Sequence, residues 1–521
     1  MRLPQAVLIP RQENPLPRVA TQRPSTHSQS FKLALLHQLW LVTALVYSNQ
    51  TKCVARLQFN FGSNAALPPF HFSLRECNSI PHSILNYVGA LLRLKRQGKA
   101  RAPRTLRLNQ QLPQAIYEGA GYLRILTFTS LFPNSVDPSH GIFIYQRSVH
   151  LARRFGHEVV VISPVPYFPR WLKVNRWKVS TELPSQEDVK GLRVYHPRYF
   201  LLPKVFMPFH AFSMFLGSLL VAWRVHREKR VDCIDAHFVH PDGLAGVLLG
   251  KALKIPVVVS ARGTDVNLFP TFKLIRPMIK WTLRKAECVI AVSNSLKESI
   301  TALGIAAAKI RVIPNGVDAQ RFHRMPSIEA RQQLGLPAQI SILVSVGALV
   351  AAKDHSLLIR AVGRLKDKIP SLQAWILGEG PLRGSLEKLI RQLSLQDRVH
   401  LPGKMSNEEL VRWFNAANLS CLTSQREGWP NVVTESLACG TPVVATRVGG
   451  LPEILHSPEL GILVEQSLDS VAAGIETALA REWNRDWISQ NTRERTWEQV
   501  AAEVEEVLVA AIRSTHTRHA N

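Results

Sequence analysis

Two glutamates, Glu427 and Glu435, stand eight positions apart around a short segment with helical character. Pro430 at its beginning and Gly440 after its end are typical of helix boundaries. Along a helix the two carboxyl groups would be roughly 12 Å apart, wider than the roughly 5–10 Å of a pair that cleaves one glycosidic bond. The spacing suits a long ligand with hydroxyl groups at both ends and an anionic group between them, such as a sugar joined by a diphosphate to a ribose. Alternatively, Glu427 only favours a helix start and Glu435 is a solvated helix residue.

The elements around these glutamates predict where such a ligand would lie. Apolar runs at 419–422 and 442–445 are typical of buried strands, and they flank the loop and the helix. A strand, helix and strand in this order form a parallel-sheet unit, and parallel sheets bind ligands at the carboxyl ends of their strands.

The motif is longer than the glutamate pair. From Glu427 to Glu453 it reads Glu-x7-Glu, then Ala-Cys-Gly-Thr-Pro-Val-Val-Ala-Thr-x-x-Gly-Gly-x-Pro-Glu. This run resembles the signature of the retaining family-four glycosyltransferases. The resemblance implies that Glu427 contacts the transferred sugar and Glu435 the ribose hydroxyls, while Gly428 and the backbone around Asn431 and Val432 meet the donor.

A second resemblance lies near the beginning of the ordered chain. An apolar strand at 123–127 is followed by a loop and by Gly141, which opens an apolar-periodic helix to about residue 155. The loop lacks G-x-G-x-x-G. The phrase Phe132-Pro133-Asn134 and the following His140-Gly141-Ile142-Phe143-Ile144 resemble the N-terminal domain of the same family, in particular members that build teichuronic-acid-type and capsular polysaccharides. There Gly141 would lie beside the donor phosphates and the acceptor.

Polar residues follow two further predicted strands. His237 comes at the end of the strand at 232–236, and Arg262 and Asp265 follow the strand at 256–260. By resemblance His237 is the family's active-site histidine, and Arg262 and Asp265 face the cleft from the acceptor side. A structural histidine, and an Arg262–Asp265 pair that only caps its turn, remain alternatives.

The second half of the chain contributes a cation. Lys353 lies in a loop between the strand at 342–346 and a helix from about residue 356, where an ammonium group can meet phosphate. The resemblance implies that Lys353 binds the diphosphate, and that Gly347 and Val399 lie in donor-binding loops. Ala348 stands where the family usually has an arginine, which removes one cation; Arg262 or Arg147 could replace it.

No metal site is expected. No D-x-D stands at a strand end, and the six cysteines, Cys53, Cys77, Cys233, Cys288, Cys421 and Cys439, contain no C-x-x-C pair. We expect no cofactor, with the nucleoside diphosphate neutralised by Lys353 and helix amides. The cysteines are read as core residues of a reducing compartment.

The formal net charge is +26 over 521 residues, and residues 1–120 contribute fifteen Lys and Arg against three Asp and Glu. Such a chain prefers anionic partners such as nucleotides, phospholipid surfaces or nucleic acid. Residues 1–120 are rich in Pro, Gln and Ser, and we predict a mostly disordered extension. The apolar segment at 33–47 is too short to cross a bilayer. A second apolar segment at 84–94, with the basic run at 93–101, could be a surface-binding helix; alternatively, the whole region is an inessential extension.

Another apolar region, 200–225, ends in a basic run. A pair of buried helices would explain it, and so would a membrane-docking face for a lipid-linked acceptor.

The predicted fold is α/β, with two Rossmann-like doubly wound domains that face a cleft, the arrangement called GT-B. We predict an extension at 1–120, an acceptor domain at 121–316, a donor domain at 317–495 and a C-terminal helix at 496–521 that crosses back to the first domain. The predicted function is a metal-independent, retaining hexosyltransferase of surface polysaccharide biosynthesis. Its partners would be a nucleotide sugar and a lipid-linked or polysaccharide acceptor, without nucleic acid. We expect it in the cytoplasm, peripherally on the inner face of the membrane.

Two other hypotheses remain open at this point. A nucleotide-sugar epimerase shares the two-domain fold, but it should lack the Glu-x7-Glu and Gly-Gly-x-Pro-Glu runs in this form. A non-catalytic, basic protein that binds membranes or nucleic acid would fit the charge and Ala348.

Overall fold

The computed structural model describes residues 122–167, 183–201 and 207–520. The predicted N-terminal extension, its two apolar segments and two of the cysteines, Cys53 and Cys77, lie outside the described residues. The other four cysteines are free, and all but Cys288 are buried, consistent with their interpretation as core residues.

The first domain is built on a large parallel sheet. Its strands are β1 Arg124–Phe128, β2 Glu158–Ile162, β3 Val165–Tyr167, β4 Gln186–Val189, β5 Leu192–Tyr195, β6 Arg198–Phe200, β7 Cys233–His237, β8 Val257–Ala261, β9 Cys288–Ala291 and β10 Ile310–Val312. Eight of them form one sheet in the order β10-β9-β8-β7-β1-β2-β5-β4, and β3 pairs with β6 separately. Only the β4–β5 edge pair of the large sheet is antiparallel. The central strands β1, β7 and β8 are buried throughout, as a parallel sheet covered on both faces requires.

Helices cover both faces of this sheet. They are α1 Ile142–Phe155, α2 Met207–Glu228, α3 Leu244–Leu253, α4 Thr264–Asn267, α5 Ile275–Lys285 and α6 Asn294–Ala302. The apolar sides of α2, α3, α5 and α6 share one core with the sheet. The helix α1 lies on the opposite face.

The second domain repeats the design. Its strands are β11 Ser341–Val346, β12 Leu372–Leu377, β13 Val399–Gly403, β14 Leu419–Leu422, β15 Val443–Thr446 and β16 Gly461–Val464, and its helices are α7 Ser327–Gln333, α8 His355–Leu365, α9 Arg383–Gln392, α10 Asn407–Ala416, α11 Asn431–Ala438, α12 Leu451–Ile454, α13 Leu468–Ala480 and α14 Arg485–Arg493. All six strands are parallel, in the order β13-β12-β11-β14-β15-β16. The order reverses between β11 and β14, and doubly wound sheets bind ligands outside such a switch point.

The last helix, α15 Trp497–Ala520, packs on α1 of the first domain. Within the interface, His157 Nε2 and Glu505 Oε1 lie 3.4 Å apart, and both side chains are buried. The chain passes between the domains twice, near Val317 and near Arg495. These two segments lie side by side, and the Val317 N–H donates to the Arg495 carbonyl oxygen over 2.9 Å.

The predicted α/β architecture is confirmed, and the predicted strands at 123–127, 256–260 and 342–346 are found within one residue of those bounds. The buried helix pair predicted at 200–225 is wrong for the described residues. One 22-residue helix, α2, occupies most of that region, and one of its faces is exposed. No helix among the described residues has the length and apolar character needed to cross a membrane.

Candidate active site

The loop before α11 brings two predicted site residues together at the switch point. Lys353 lies in a short turn after β11, and Glu427 lies after the neighbouring strand β14. Lys353 Nζ donates to Glu427 Oε1 over 2.6 Å, and Ser424 Oγ donates to the same oxygen over 2.6 Å. The side chains are only 22% and 10% exposed. The pair therefore forms a sheltered ion pair ahead of the first turn of α11.

Glu435 lies further along α11 and faces a different part of the cleft. A small cavity joins the two domains here, and its lining residues are Ile142, Phe143, Gln146, Gly316, Asp318, Arg321, Phe322, Asn407, Asn431, Glu435 and Trp497. Burial raises the pKa of Glu435 to about 7, while Arg321 acts in the opposite direction and Asp318 adds to the rise. The carboxyl group therefore titrates near neutral pH.

A chain of hydrogen-bonded side chains connects the first domain with the tip of α11. Arg262 Nη1 donates to Asn315 Oδ1 over 2.9 Å, and Asn315 Nδ2 donates to Asn431 Oδ1 over 2.9 Å. Asn431 is the first residue of α11. A guanidinium group is thus linked through one amide side chain to the helix end where an anion would bind.

Arg262 also determines which ring nitrogen of His237 carries the proton. Arg262 Nη2 lies 2.7 Å from His237 Nδ1, and His237 Nε2 lies 3.2 Å from Asp235 Oδ2. Because a guanidinium can only donate, Nδ1 accepts and the ring proton sits on Nε2, which donates to Asp235. Burial lowers the pKa of His237 to about 4 despite the neighbouring Asp235, so the imidazole is neutral at physiological pH.

Arg147 completes this network from α1. Arg147 Nη2 donates to Asp235 Oδ1 over 3.0 Å, and Nη1 donates to Ser260 Oγ over 2.7 Å. Although burial alone raises the pKa of Asp235, Arg147 and His237 hold it well below its usual range. Burial and the charge of Arg147 lower the pKa of Arg262 to about 9. Arg147 is thus occupied inside the first domain, and Arg262 is the arginine connected to the α11 tip.

Asp265 organises the loop rather than the Arg262 guanidinium. Its carboxylate accepts main-chain N–H groups of Val239 at 2.7 Å, Gly263 at 2.8 Å and Arg262 at 3.1 Å. Burial raises the pKa of Asp265, and these N–H groups oppose the rise. The capping alternative therefore describes Asp265, while the Arg262 side chain is directed to His237 and Asn315.

The loop with Gly263 touches the loop with Gly428 backbone to backbone. Gly263 has φ +139°, and a Cβ added to Gly428 would lie 1.9 Å from the Arg262 carbonyl oxygen. Any larger residue at Gly428 would therefore push the two domains apart. Gly428 therefore packs closely against the opposite domain, and its predicted contact with the donor would be an additional role.

The remaining predicted residues differ in their placement. Gly141 precedes α1 with φ +65°, and a Cβ there would lie 2.4 Å from the Leu131 carbonyl oxygen, so the tight loop excludes other residues. Gly347 lies beneath the Lys353 side chain. Val399 is different, because it is buried in the core and pairs with Ala374 in the middle of β12. The donor-binding role predicted for Val399 does not fit, since ligands approach the carboxyl edge of the sheet, which Gly403 occupies in β13.

Sequence reasoning missed several residues of the cleft. Glu453, the last residue of the long motif, accepts the main-chain N–H groups of Asn294 at 2.8 Å and Ser295 at 3.0 Å, both at the start of α6 in the other domain. Asp137 and Lys404 form a second bridge between the domains, at 3.0 Å. A serine before an apolar-periodic segment, Ser293, indicated the helix start that Glu453 contacts. No local pattern indicated the bridge between Asp137 and Lys404. Among the described residues, no group of three or more His, Cys, Asp or Glu side chains is arranged to hold a metal ion.

Known protein families match most of this two-domain region. The model of the glycosyl transferases group 1 matches residues 327–495, and that of glycosyltransferase family 4 matches residues 141–321. A Bacillus subtilis protein described as a teichuronic acid biosynthesis glycosyltransferase, TuaC, is 30% identical over 363 residues, which cover 68% of this chain and 88% of TuaC. The N-acetyl-alpha-D-glucosaminyl L-malate synthase of Bacillus anthracis is 23% identical over 283 residues, which cover 54% of this chain and 73% of that protein.

Solved structures share the fold. The sucrose-phosphate synthase of Thermosynechococcus elongatus superimposes with a TM-score of 0.61 at 22% identity, covering 75% of this chain and 100% of the other. Anabaena HepE in complex with UDP gives a TM-score of 0.56 at 20% identity, covering 74% of this chain and 100% of HepE. Both likenesses concern the two-domain GT-B arrangement.

Proposed function

Because this chain belongs to the glycosyltransferases of group 1 and family 4, we propose that it transfers a hexose from a nucleoside diphosphate sugar to a lipid-linked or polysaccharide acceptor. Transfer would retain the anomeric configuration and require no metal. The name of the relative TuaC supports a product in surface polysaccharide biosynthesis. The proposed location is the cytoplasm, peripherally on the inner face of the membrane.

The observation that carries this proposal is the Lys353–Glu427 contact of 2.6 Å ahead of α11. It supports a role for Lys353 at the diphosphate, because the ammonium group stands beside a helix N-terminus that itself favours anions. When a diphosphate binds, Lys353 would share its charge between the phosphate and Glu427. Glu427 would then orient the sugar hydroxyls with its remaining acceptor positions.

The other end of the donor would lie along α11. Glu435 is in the cavity between the domains, and a carboxylate can accept two hydroxyl groups of one ribose. Arg262, held near the helix tip by Asn315, is the candidate for the positive charge that Ala348 does not provide.

In the proposed reaction the acceptor hydroxyl attacks the anomeric carbon from the face on which the diphosphate leaves. The bond between the anomeric carbon and the diphosphate oxygen breaks, and the hydroxyl proton passes to the leaving diphosphate. Lys353 and the amides of α11 stabilise the negative charge that develops on that group. Contact between the domains excludes water, so that an acceptor hydroxyl reacts instead.

The test measures nucleoside diphosphate release from a panel of nucleotide sugars, with and without EDTA and with short sugar acceptors. We expect one donor to be turned over at a rate that EDTA does not change. Lys353→Met should reduce turnover about 100-fold or more, because charge stabilisation of the leaving group is lost.

Lys388→Met is the matched control, since Lys388 is exposed on α9 and lies outside the cleft. Its rate should equal that of the unaltered protein. A Lys353→Met protein that turns over donor at the normal rate would exclude the assigned site, and release abolished by EDTA would exclude metal independence.

A further inference from the structure

The helix α2 has two apolar faces. Its inward face packs into the first domain with the buried residues Ala211, Met214, Ser218, Ala222 and Val225. Its outward face carries five large apolar side chains, each between 47% and 74% exposed, which we call the α2 stripe: Phe209, Phe212, Leu216, Leu220 and Trp223. Their spacings of three and four residues place them on one line about 21 Å long.

Such a line is unusual on a protein surface. Single exposed apolar residues are common, whereas a contiguous row of large ones marks a surface that meets another protein or a membrane. A helix embedded in the domain by its other face cannot cross a bilayer. It can lie flat against one and insert its outer side chains to the level of the headgroups.

Positive charge surrounds the C-terminal end of the stripe. Arg224, Arg227 and Arg230 are exposed, and the Arg227 guanidinium lies 4.7 Å from the centre of the Trp223 ring. Glu228 is the one acidic residue in 207–230, and it lies 3.9 Å from Arg193. Aromatic rings with arginines beside them are typical of the boundary between lipid tails and headgroups.

The neighbouring helix α5 extends the same charge. It packs against α3, touches α2 and shares one core with them. The stretch 266–286 contains no acidic residue, and Lys273, Arg276, Arg284 and Lys285 are exposed. A second copy of this strongly basic chain would be repelled by these residues, whereas an anionic surface would be attracted.

We propose that the α2 stripe, with the arginines at its end and the basic side of α5, docks on a bilayer that contains anionic phospholipids. The apolar residues supply insertion, and the cations supply attraction to the headgroups.

This surface has a defined relation to the cleft. α2 packs against the turn Val239–Gly243 that follows His237, and exposed Phe200 lies at its N-terminal half, where Ser213 Oγ donates to the Phe200 carbonyl oxygen. Docking would bring the acceptor side of the cleft to the membrane. The identification of the acceptor as lipid-linked rests on the proposed function, but the docking itself does not.

The experiment is sedimentation of the full chain with vesicles of phosphatidylcholine alone, and of phosphatidylcholine mixed with phosphatidylglycerol. We expect binding to the mixed vesicles only, and weaker binding at high salt. The double variant Phe212→Ser, Leu220→Ser should bind the mixed vesicles about tenfold more weakly, or weaker still. The double variant Arg224→Glu, Arg227→Glu should lose affinity mainly at low salt. Ile328→Ser, an exposed apolar residue of the second domain, is the matched control and should bind normally.

All these residues are exposed, so the variants should fold, which circular dichroism and donor turnover without vesicles would check. Normal vesicle binding by the stripe variant would overturn the proposal. So would a change of the variant from dimer to monomer with vesicle binding retained, because a second copy would then be the occupant. Loss of vesicle binding with normal turnover supports docking, whereas absent turnover in the unaltered protein, with docking intact, contradicts the proposed function alone.

Discussion

At the level of single residues, the polar side chains of the site are hydrogen-bonded to one another. Lys353 is bonded to Glu427, and His237 has both ring nitrogens occupied by Arg262 and Asp235. A neutral His237 can position a hydroxyl group but has no extra proton to give at physiological pH. A ligand that reaches its Nδ1 atom must first displace the Arg262 guanidinium. Binding and rearrangement of charge are therefore linked in this cleft.

The raised pKa of Glu435 predicts a pH-dependent affinity for nucleotide. If its carboxylate form holds the ribose hydroxyls, binding strengthens as pH rises through about 7, because a protonated carboxyl group loses acceptor capacity. Calorimetric titration with the nucleoside diphosphate from about pH 6 to about pH 8 would measure this rise.

Glu435→Gln removes the titrating group and should flatten this dependence, with weaker binding at the upper end. The effect on stability has the opposite sign. The folded state binds more protons than the unfolded state between pH 4.5 and about 7, so this group lowers the stability as pH rises through that window. A variant with an unchanged pH profile would contradict the assignment of Glu435.

At the scale of elements, two helices determine the site. The tip of α11 carries Asn431 and the N–H groups that we propose bind the diphosphate, and the crossing helix α15 packs against α1 of the first domain. Because α15 is covalently part of the second half of the chain, its packing on α1 links the folding of both halves.

The buried contact between His157 and Glu505 should stabilise this crossing. His157 Nδ1 accepts the Leu123 N–H, so Nε2 carries the proton and faces Glu505. Glu505→Ala would remove the carboxylate oxygen that lies 3.4 Å from this buried N–H group. We expect a cost of about 1–3 kcal/mol in the free energy of unfolding. Urea denaturation would measure the loss.

Glu506→Ala is the control, since Glu506 is exposed on the next position of the same helix. Both substitutions give the same gain in helix propensity, so their difference isolates the buried contact. Equal stability of the two variants would show that the contact contributes nothing.

At the scale of the whole molecule, the domains meet in a closed arrangement. Trp429 packs against the cores of both domains, Glu453 accepts N–H groups at the start of α6, and Lys404 pairs with Asp137. Most of these contacts come from the long motif itself, so the motif that flanks the proposed donor site also touches the opposite domain. We infer that donor binding and domain closure reinforce each other.

Glu453→Ala should favour an open arrangement. In the unaltered protein the Glu453 carboxylate accepts N–H groups at the N-terminus of α6, where a negative charge is favourable. The variant loses this contact. We expect a larger radius of gyration by X-ray scattering and a higher KM for the donor, with helix content unchanged.

Glu459→Ala provides the comparison, because Glu459 is exposed nearby and bonds only to Ser457 among the described residues. Its scattering curve and KM should match those of the unaltered protein. If the Glu453→Ala curve matches as well, the contact does not hold the domains together.

Features that depend on local chemistry or on a long motif could be predicted from the amino-acid sequence. Pro430 and Gly440 bound α11, apolar runs marked the strands of both sheets, and the run from Glu427 to Glu453 indicated the family and hence the GT-B fold. These succeed because helix ends, strand burial and a long ordered motif are each visible within neighbouring positions.

The contacts between groups that are distant in the sequence could not be predicted in this way, because they depend on the folded chain. Lys353 and Glu427 are 74 positions apart and touch because β11 and β14 are neighbours in the sheet. Val399 is buried at the amino end of β13, away from the carboxyl edge of the sheet. The apolar pattern of α2 predicted that the whole helix is buried. In the structure only one face packs into the core, and the opposite face is exposed. Sheet order, register and the finite area of a core are properties of the assembled chain, so no local pattern contains them.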